Sequence, residues 1–574
     1  MKYALRSVLD VMRVRPSGDP QIAVVPVDDA APAKIEVCDI LIGGGGMGGV
    51  AAALAAARRG HNVCLLEETD WLGGQMTSQG VSALDEHDHI EAFGGTRAYY
   101  EMREAIRDHY RNLAVPVPTE PTNPGNCWVS RLAFEPSVAV AMIDRLLAPY
   151  VTNGRLRIFL RTRIVGAEVI DDEVVNATAI DLDRRQTTGF RFKQLIDATE
   201  LGDLLPLVGA DYVVGAESVE ETGERHAQPV HARPQCVQSC SYIFAMERRE
   251  PGKGSLIPKP DGYEHYRDSQ PYSLSIHVHG GEIYGEQTGW LQFKLFDDAP
   301  DTKGPLWKYR RLVDAGQFGG RYPNDITMFN WPGNDYRDLP LVDQSPDVLA
   351  QALQDAKRVA LGFAYWLQTT ASEAGAAGQP DLLLRPDIMD TADGLSKYPY
   401  IRESRRIKAV RTIVEQDVAE KFHPGPRAAH FDDSVGVGWY PIDIHQAGEG
   451  DLAVSTRTKP FQIPLGALIP RTISNLLAAN KNIGTTHLTN GCYRLHPIEW
   501  NIGEAAGVLA AVAIEADMAP KAVHSERVRV VQRELVAEGV PLCWLVDVPV
   551  THPAFSAIQR LVMAAGYGGT TLRP

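Results

Sequence analysis

The stretch that most constrains this chain is LIGGGGMGGV, residues 41–50, in which six of ten positions are glycine. The short apolar run DILI leads into it, and VAAALAAARRG follows as a helix of small residues that stops at Gly60. A glycine suits the left-handed turn that closes a helix. NVCLLEE then reads as a second buried strand, ending in acid. Strand, glycine turn, helix and strand within about 30 residues open a doubly wound parallel sheet, so the expected fold class is α/β.

Gly44, Gly46 and Gly49 satisfy the GxGxxG pattern. Its first glycine permits a tight turn, its second lets backbone approach a pyrophosphate, and its third lets helix pack on strand. The helix N-terminus then offers free N–H groups to the phosphates. Glu67, 18 residues beyond Gly49, stands where an acid accepts from ribose hydroxyls. A flexible loop before an alanine-rich helix is the blander reading, but strand, helix and acid together favour dinucleotide binding. A second glycine pair in TDWLGGQMTSQGVS would let backbone follow a long, extended dinucleotide, which favours FAD over NAD.

LLEETDWLGGQMTSQGVSALDEHDHIEAFGGTR resembles the FAD-dependent oxidoreductases of the glutathione-reductase-like superfamily. Further blocks carry the resemblance across nearly the whole chain from Val37: LIDATELGDLLPLVGADYVVGAES, YIRESRRI, DSVGVGWYPIDIH and IPLGALIPRTISNLLAANKNIGTTHLTNGCYRLHPIEWNIGEAAG. The resemblance implies a Rossmann-like FAD-binding domain. In it Gly44, Gly46 and Gly49 hold the pyrophosphate, Glu67 the adenosine ribose, and Gly74, Gln75 and Thr77 the ribityl and flavin side. Arg163 or Ile164 would meet adenine through backbone, and Ala198 and Thr199 would pass the adenosine half. Asn480, Asn482, Ile483 and Gly484 would approach the ribityl chain, and Gly503 with its following helix would face the flavin pyrimidine edge. Asn480-Lys481-Asn482 departs from the Gly-Asp or Gly-Arg of many relatives.

Composition shifts divide the chain into an N-terminal extension (1–36, read as a loose arm) and an FAD-binding domain in two pieces (37–215 and 456–520). An inserted mixed α+β substrate domain (216–455) and a helical C-terminal region (521–574) complete it. RAYYEMREAIRDHY reads as an amphipathic helix, and PVPTEPTNPGN (116–126) as a loop by its proline density. Lys and Arg total 57 against 72 Asp and Glu, with no basic block, so nucleic acid is not an expected partner. No run reaches the roughly 18 apolar residues that span a bilayer. The N-terminus lacks a secretory h-region, and seven sparse cysteines point to reduced thiols and a cytoplasmic setting. A small molecule is the expected partner, and self-association is left open.

No second GxGxxG and no CxxC occur, which argues against a separate NAD(P)H domain and against dithiol chemistry. No Cys/His cluster has metal spacing. The expected reaction is oxidation of a polar organic molecule at C–OH or C–N by hydride transfer to flavin N5, with oxygen or another acceptor reoxidising the flavin. The alternatives are a flavin monooxygenase, a reductase with an external donor, or a flavin-binding protein without turnover. A base is needed, and histidine is the natural candidate. His87 and His89 follow the GGQ loop. His487 and His496 flank the late helix, where Trp500 reads as packing and Cys492 as either a flavin attachment point or a small buried thiol. On the substrate side stand Arg402, His445, Asn490 and Tyr493. YIRESRRI could clamp an anion or form an internal ion-pair network.

Overall fold

The computed structural model describes residues 1–28, 31–32, 34–113, 121–278, 289–299, 302–373, 376–448 and 454–565. Its central sheet is wholly parallel. It comprises Ile40–Gly43 (β1), Val63–Leu66 (β2), Leu156–Phe159 (β3), Gln194–Asp197 (β4) and Leu476–Ala478 (β5), in the order β5-β4-β1-β2-β3. Helices on the sheet faces bury its central strands, which is why DILI and VCLL are continuous apolar runs rather than alternating ones. From β1 the chain builds outward to β2 and β3 on one side, then returns to β4 and β5 on the other. The crevice of such a sheet lies at the carboxyl ends of the strands where the order reverses, here β1 and β4.

Met47–Arg58 (α1) joins β1 to β2 and lies against His496–Ala516 (α2). The two helices touch backbone to backbone. A Cβ on Gly503 would collide with the Gly48 carbonyl, and one on Gly507 with that of Ala52. The sequence opens this late helix near Gly503, but it begins at His496, two turns earlier. Gly503 is therefore an interior packing position.

Residues 1–36 are not a loose arm. Lys2–Ala4 pairs antiparallel with Thr162–Ile170, and Lys34–Val37 closes the far edge of the same five-stranded sheet against Gln186–Arg191. Asp10, completely buried, bonds Arg161 at 2.5 Å and Arg13 at 3.1 Å. Three-residue strands are too short for periodicity to reveal, and the Asp10 partner lies 151 positions away.

Between 216 and 455 a four-stranded antiparallel sheet runs Arg311–Val313, Ile326–Phe329, Phe244–Arg248, Leu382–Leu384. The 24-residue helix Pro346–Thr369 packs against this region, with Phe363 edge-on to Phe244 and Phe329. The aromatic richness of this stretch thus includes an ordinary core. Beyond 520 the chain is helical over Pro520–Ala537 and Phe555–Ala564, and residues 566–574 lie outside the described residues, as do 116–120 of the proline-rich loop. No helix among the described residues is long and apolar enough to cross a membrane.

Overpacking a tight backbone contact costs on the order of 1–3 kcal/mol. Gly503→Val is therefore expected to lower the thermal unfolding midpoint by several degrees or abolish soluble expression. An unchanged midpoint would disprove the close α1–α2 contact.

Candidate active site

At the carboxyl ends of β1 and β4 lies a narrow cleft. Its floor is glycine backbone. Gly44 has φ 98°, and a Cβ there would strike the Ala198 carbonyl. Gly49, within α1, meets the Gly44 carbonyl in the same way. Both are dictated by the fold's own packing. Gly46, the N-cap of α1, differs: the nearest atom to a Cβ there is Glu200 Oε1, at 2.5 Å, and Gly74 lies opposite. Of the three fingerprint glycines, Gly46 is the one whose added Cβ would meet a side chain rather than backbone.

The walls are charged and buried. Glu67 accepts from the Gly45 N–H at 2.7 Å and from Thr69 N–H and Oγ1 at 2.8 and 2.7 Å. Burial raises its pKa. Beside it Arg163 bridges Glu68 at 2.9 Å and Asp203 at 3.0 Å, and burial pushes the Glu68 carboxyl up to about 7 despite that cation. Behind Gly46, Lys481 Nζ joins Glu200 at 2.6 Å to Glu499 at 3.1 Å. Burial opposes the Lys481 charge, but the two carboxylates outweigh it and raise its pKa. Glu499 itself is pushed up to about 7 by burial and accepts from Gln75 Nε2 at 2.6 Å.

A second cavity, of about 310 Å3, is lined in part by a chain neighbour of the cleft's own lining: Glu200 lines the cleft and Leu201 the cavity. Ile401 N–H donates to Gln79 Oε1 at 3.1 Å, tying this wall to the GGQ loop. His445 stands behind the cavity, its N–H donating to Gln238 Oε1 at 3.2 Å. Its Nδ1 donates to Asp335 Oδ2 at 2.9 Å. Asp335 also accepts from Ser241 Oγ and pairs with Arg402 at 3.1 Å. Burial opposes its charge, but Arg402 and His445 hold its carboxyl well below the usual range. For His445, burial and the Arg402 charge outweigh Asp335 and lower its pKa, favouring the neutral ring. The nearest acid to its Nε2 is Asp443, at 3.8 Å.

Residues 39–535 match the family model described as FAD dependent oxidoreductase. The chain belongs to that family. FAD is the cofactor of this oxidoreductase, and the glycine floor, the helix N-terminus at Gly46 and the acid at Glu67 fit such a group. No curated protein matches. Solved structures that do match include L-proline dehydrogenase from P. horikoshii, at 15% identity and TM-score 0.18, over 32% of this chain and 24% of that one. The flavin-dependent monooxygenase PieE, in complex with FAD and substrate, matches at 12% identity and TM-score 0.31, over 93% and 72%. A geranylgeranyl bacteriochlorophyll reductase-like protein from Thermoplasma acidophilum matches at 11% and 0.29, over 92% and 96%. Likenesses at these scores leave the substrate and the reaction open.

Of the cofactor-side candidates in the oxidoreductase, Gly44, Gly46, Glu67, Gly74, Ile164, Ala198 and Thr199 line the one cleft. Gly49, Gln75, Thr77, Asn482 and Gly503 stand behind its lining. Thr77 Oγ1 donates to Leu72 O at 2.7 Å, and Asn482 Nδ2 to Asp197 O at 3.0 Å, so both brace backbone. The histidines divide sharply. His496, fully buried, accepts the Asp85 N–H at Nδ1 and donates from Nε2 to Val81 O, and burial holds its pKa down at about 4. Both its nitrogens are committed. His87 is wedged edge-on against Trp544 at 4.9 Å and pushed down to about 3 by burial. His487 pairs with Glu403 at 2.8 Å and lines a third pocket. Tyr493 spends its hydroxyl on Gln462 O, and Asn490 bonds Gln238 and Lys481 O. Cys492 is completely buried and donates to Thr489 O.

YIRESRRI forms an internal ion-pair network, with Arg406 on Glu403 and Glu217, and Arg405 on Asp203 and Asp343. Arg402 pairs instead with Asp335 and lines the second cavity. Sequence reading missed Glu200, Lys481, Gln238 and Asp335, whose partners are scattered along the chain. The buried charge of Lys481 was visible only as a departure from the family pattern. Among the described residues no group of three His, Cys, Asp or Glu side chains could hold a metal ion.

Two substitutions separate fold from ligand in the fingerprint. Gly46→Ala is expected to leave the unfolding transition of the FAD-free protein in place while abolishing stoichiometric FAD retention, read from flavin absorbance per protein. Gly49→Ala is expected to depress stability itself. Full FAD content in Gly46→Ala would refute the assignment of that glycine.

Proposed function

We propose that the oxidoreductase oxidises a small polar organic molecule at a C–OH or C–N carbon, with the flavin returned by oxygen or another acceptor. The observation that carries this reading is the His445–Asp335 pair, bonded to Gln238 and Arg402, two residues that line the second cavity. FAD, when bound, supplies the two-electron acceptor. The glycine backbone at Gly44, Gly46 and Gly74 and the N-terminus of α1 hold the pyrophosphate, and Glu67 the ribose. Asp335 fixes the His445 ring with its proton on Nδ1, which leaves Nε2 as the lone-pair nitrogen facing away from the carboxylate. A substrate hydroxyl or amine presented to Nε2 gives up its proton there as its carbon is oxidised.

The same reading assigns segments 37–215 and 456–520 to FAD and 216–455 to substrate. Pairing of β5 with β4 supports the first assignment, and the origin of Gln238, Asp335, Arg402 and His445 within 216–455 supports the second. His487, paired with Glu403, and His87, whose two ring nitrogens are buried without a partner and which no acid orients, are the weaker candidates for base.

The test is anaerobic mixing of the FAD-loaded protein with a library of alcohols, hydroxy acids and amines. Bleaching of the flavin by a library member supports the reading, and bleaching only by NAD(P)H overturns it in favour of a reductase or monooxygenase. The base works deprotonated, so the rate falls as pH drops through the His445 pKa, which lies below the usual value of about 6.5. His445→Asn is expected to slow bleaching by about 100-fold or more and to remove that acidic limb. A variant with the wild-type pH profile would exclude His445 as the base.

A further inference from the structure

Arg402 has five N–H donors and a fully buried guanidinium. Nη1 donates to Ser239 O at 2.8 Å and Ser241 Oγ at 2.9 Å, and Nη2 donates to Asn330 Oδ1 at 3.0 Å and pairs with Asp335. Nε has no partner. Arg337, on the same cavity, repeats the pattern. Nη1 donates to Gln446 Oε1 at 2.8 Å, Nη2 to Pro332 O at 3.4 Å, and the buried Nε has none. Ser239, also buried, leaves its Oγ without a partner although its carbonyl is engaged by Arg402. Two N–H groups and one hydroxyl, all buried and all without a partner, belong to three residues that line one cavity. Buried donors of this kind are rarely left unsatisfied.

The acids nearby do not supply the missing acceptor. Glu403 gives its oxygens to Arg406, His487 and the Gln238 N–H. Asp335 gives its own to Ser241, Arg402 and His445. Asp338 is exposed on the rim. Arg337 feels the consequence, because burial and the charge of Arg402 together lower its pKa against the pull of Asp335 and Asp338.

We propose that this cavity binds the carboxylate of the substrate, with Arg402 Nε, Arg337 Nε and Ser239 Oγ as its donors. The inference rests on the oxidase reading above and narrows its substrate to small organic acids such as hydroxy or amino acids. Donor number favours a carboxylate over a phosphate. Two single N–H groups and a hydroxyl match the two oxygens of a monoanion, whereas a dianion would need further charge that Asp335 and Glu403 have already absorbed.

The FAD-loaded protein is titrated with sodium propionate, with propionamide and with methylphosphonate, at ionic strength matched with chloride. Heat of binding and perturbation of the flavin spectrum are followed together. Propionate is expected to saturate, propionamide to give no saturable signal and methylphosphonate to bind more weakly. Arg337→Gln and Ser239→Ala are each expected to weaken propionate by about tenfold or more while the thermal midpoint of the ligand-free protein stays close to wild type. Arg402→Lys, which keeps the charge and loses the fork, is expected to do the same if it folds. Equal responses to propionate and propionamide overturn the proposal, as does propionate binding unchanged in both Arg337→Gln and Ser239→Ala. Flavin bleached by neutral alcohols with no propionate response leaves the oxidase reading standing and the carboxylate pocket refuted. Arginine-dependent propionate binding in a protein bleached by no member of the library does the reverse.

Discussion

The oxidoreductase depends on how closely its main chain can approach itself beneath the cofactor cleft. Gly44 meets the Ala198 carbonyl, Gly48 the Ala479 carbonyl, Gly49 the Gly44 carbonyl and Gly503 the Gly48 carbonyl. These contacts bring β1, β4, the end of β5, α1 and α2 to a single point, and a methyl group at any of them would push two elements apart. The glycine run is therefore mostly an internal packing device. Gly46 is the one fingerprint position where an added Cβ would meet a side chain, that of Glu200, rather than backbone.

The charged walls of the site are built from ion pairs that are wholly or largely buried. Removing one partner from such a group strands a buried charge, which costs far more than the pair contributes. Lys481 between Glu200 and Glu499, Arg163 between Glu68 and Asp203, and Arg402 on Asp335 all fit that description. Their value is in geometry. Arg402 fixes Asp335, Asp335 fixes the ring of His445, and Gln238 links His445 to Asn490 and Glu403. A chain of this kind sets the tautomer of one histidine from several elements at once.

The sequence made the parallel sheet, the glycine turn and the cofactor legible because all their signals are local. DILI, VCLL and the alanine-rich α1 fall within 30 residues, and Glu67 follows at a fixed offset. The strand Lys2–Ala4 escaped notice because three residues carry no period and its partner lies beyond residue 160. The histidines were the hardest part. His496 and His87 sit in segments near the glycine loop and late helix, as a base would, yet one is bonded at both nitrogens and the other is walled in by tryptophan. What distinguishes His445 is an aspartate 110 positions away, and no spacing rule reaches that far.

That same long reach governs how the molecule is made. β4 is synthesised nearly 300 residues before β5, the strand that covers its outer edge. An uncovered parallel edge is a site for mispairing. A ribosome-bound intermediate carries that open edge, and the unfinished crevice beside it, through the synthesis of the entire stretch that holds His445 and Arg402. The strand that covers this edge, Leu476–Ala478, follows the whole stretch that holds His445 and Arg402, so the parallel sheet is completed late in synthesis.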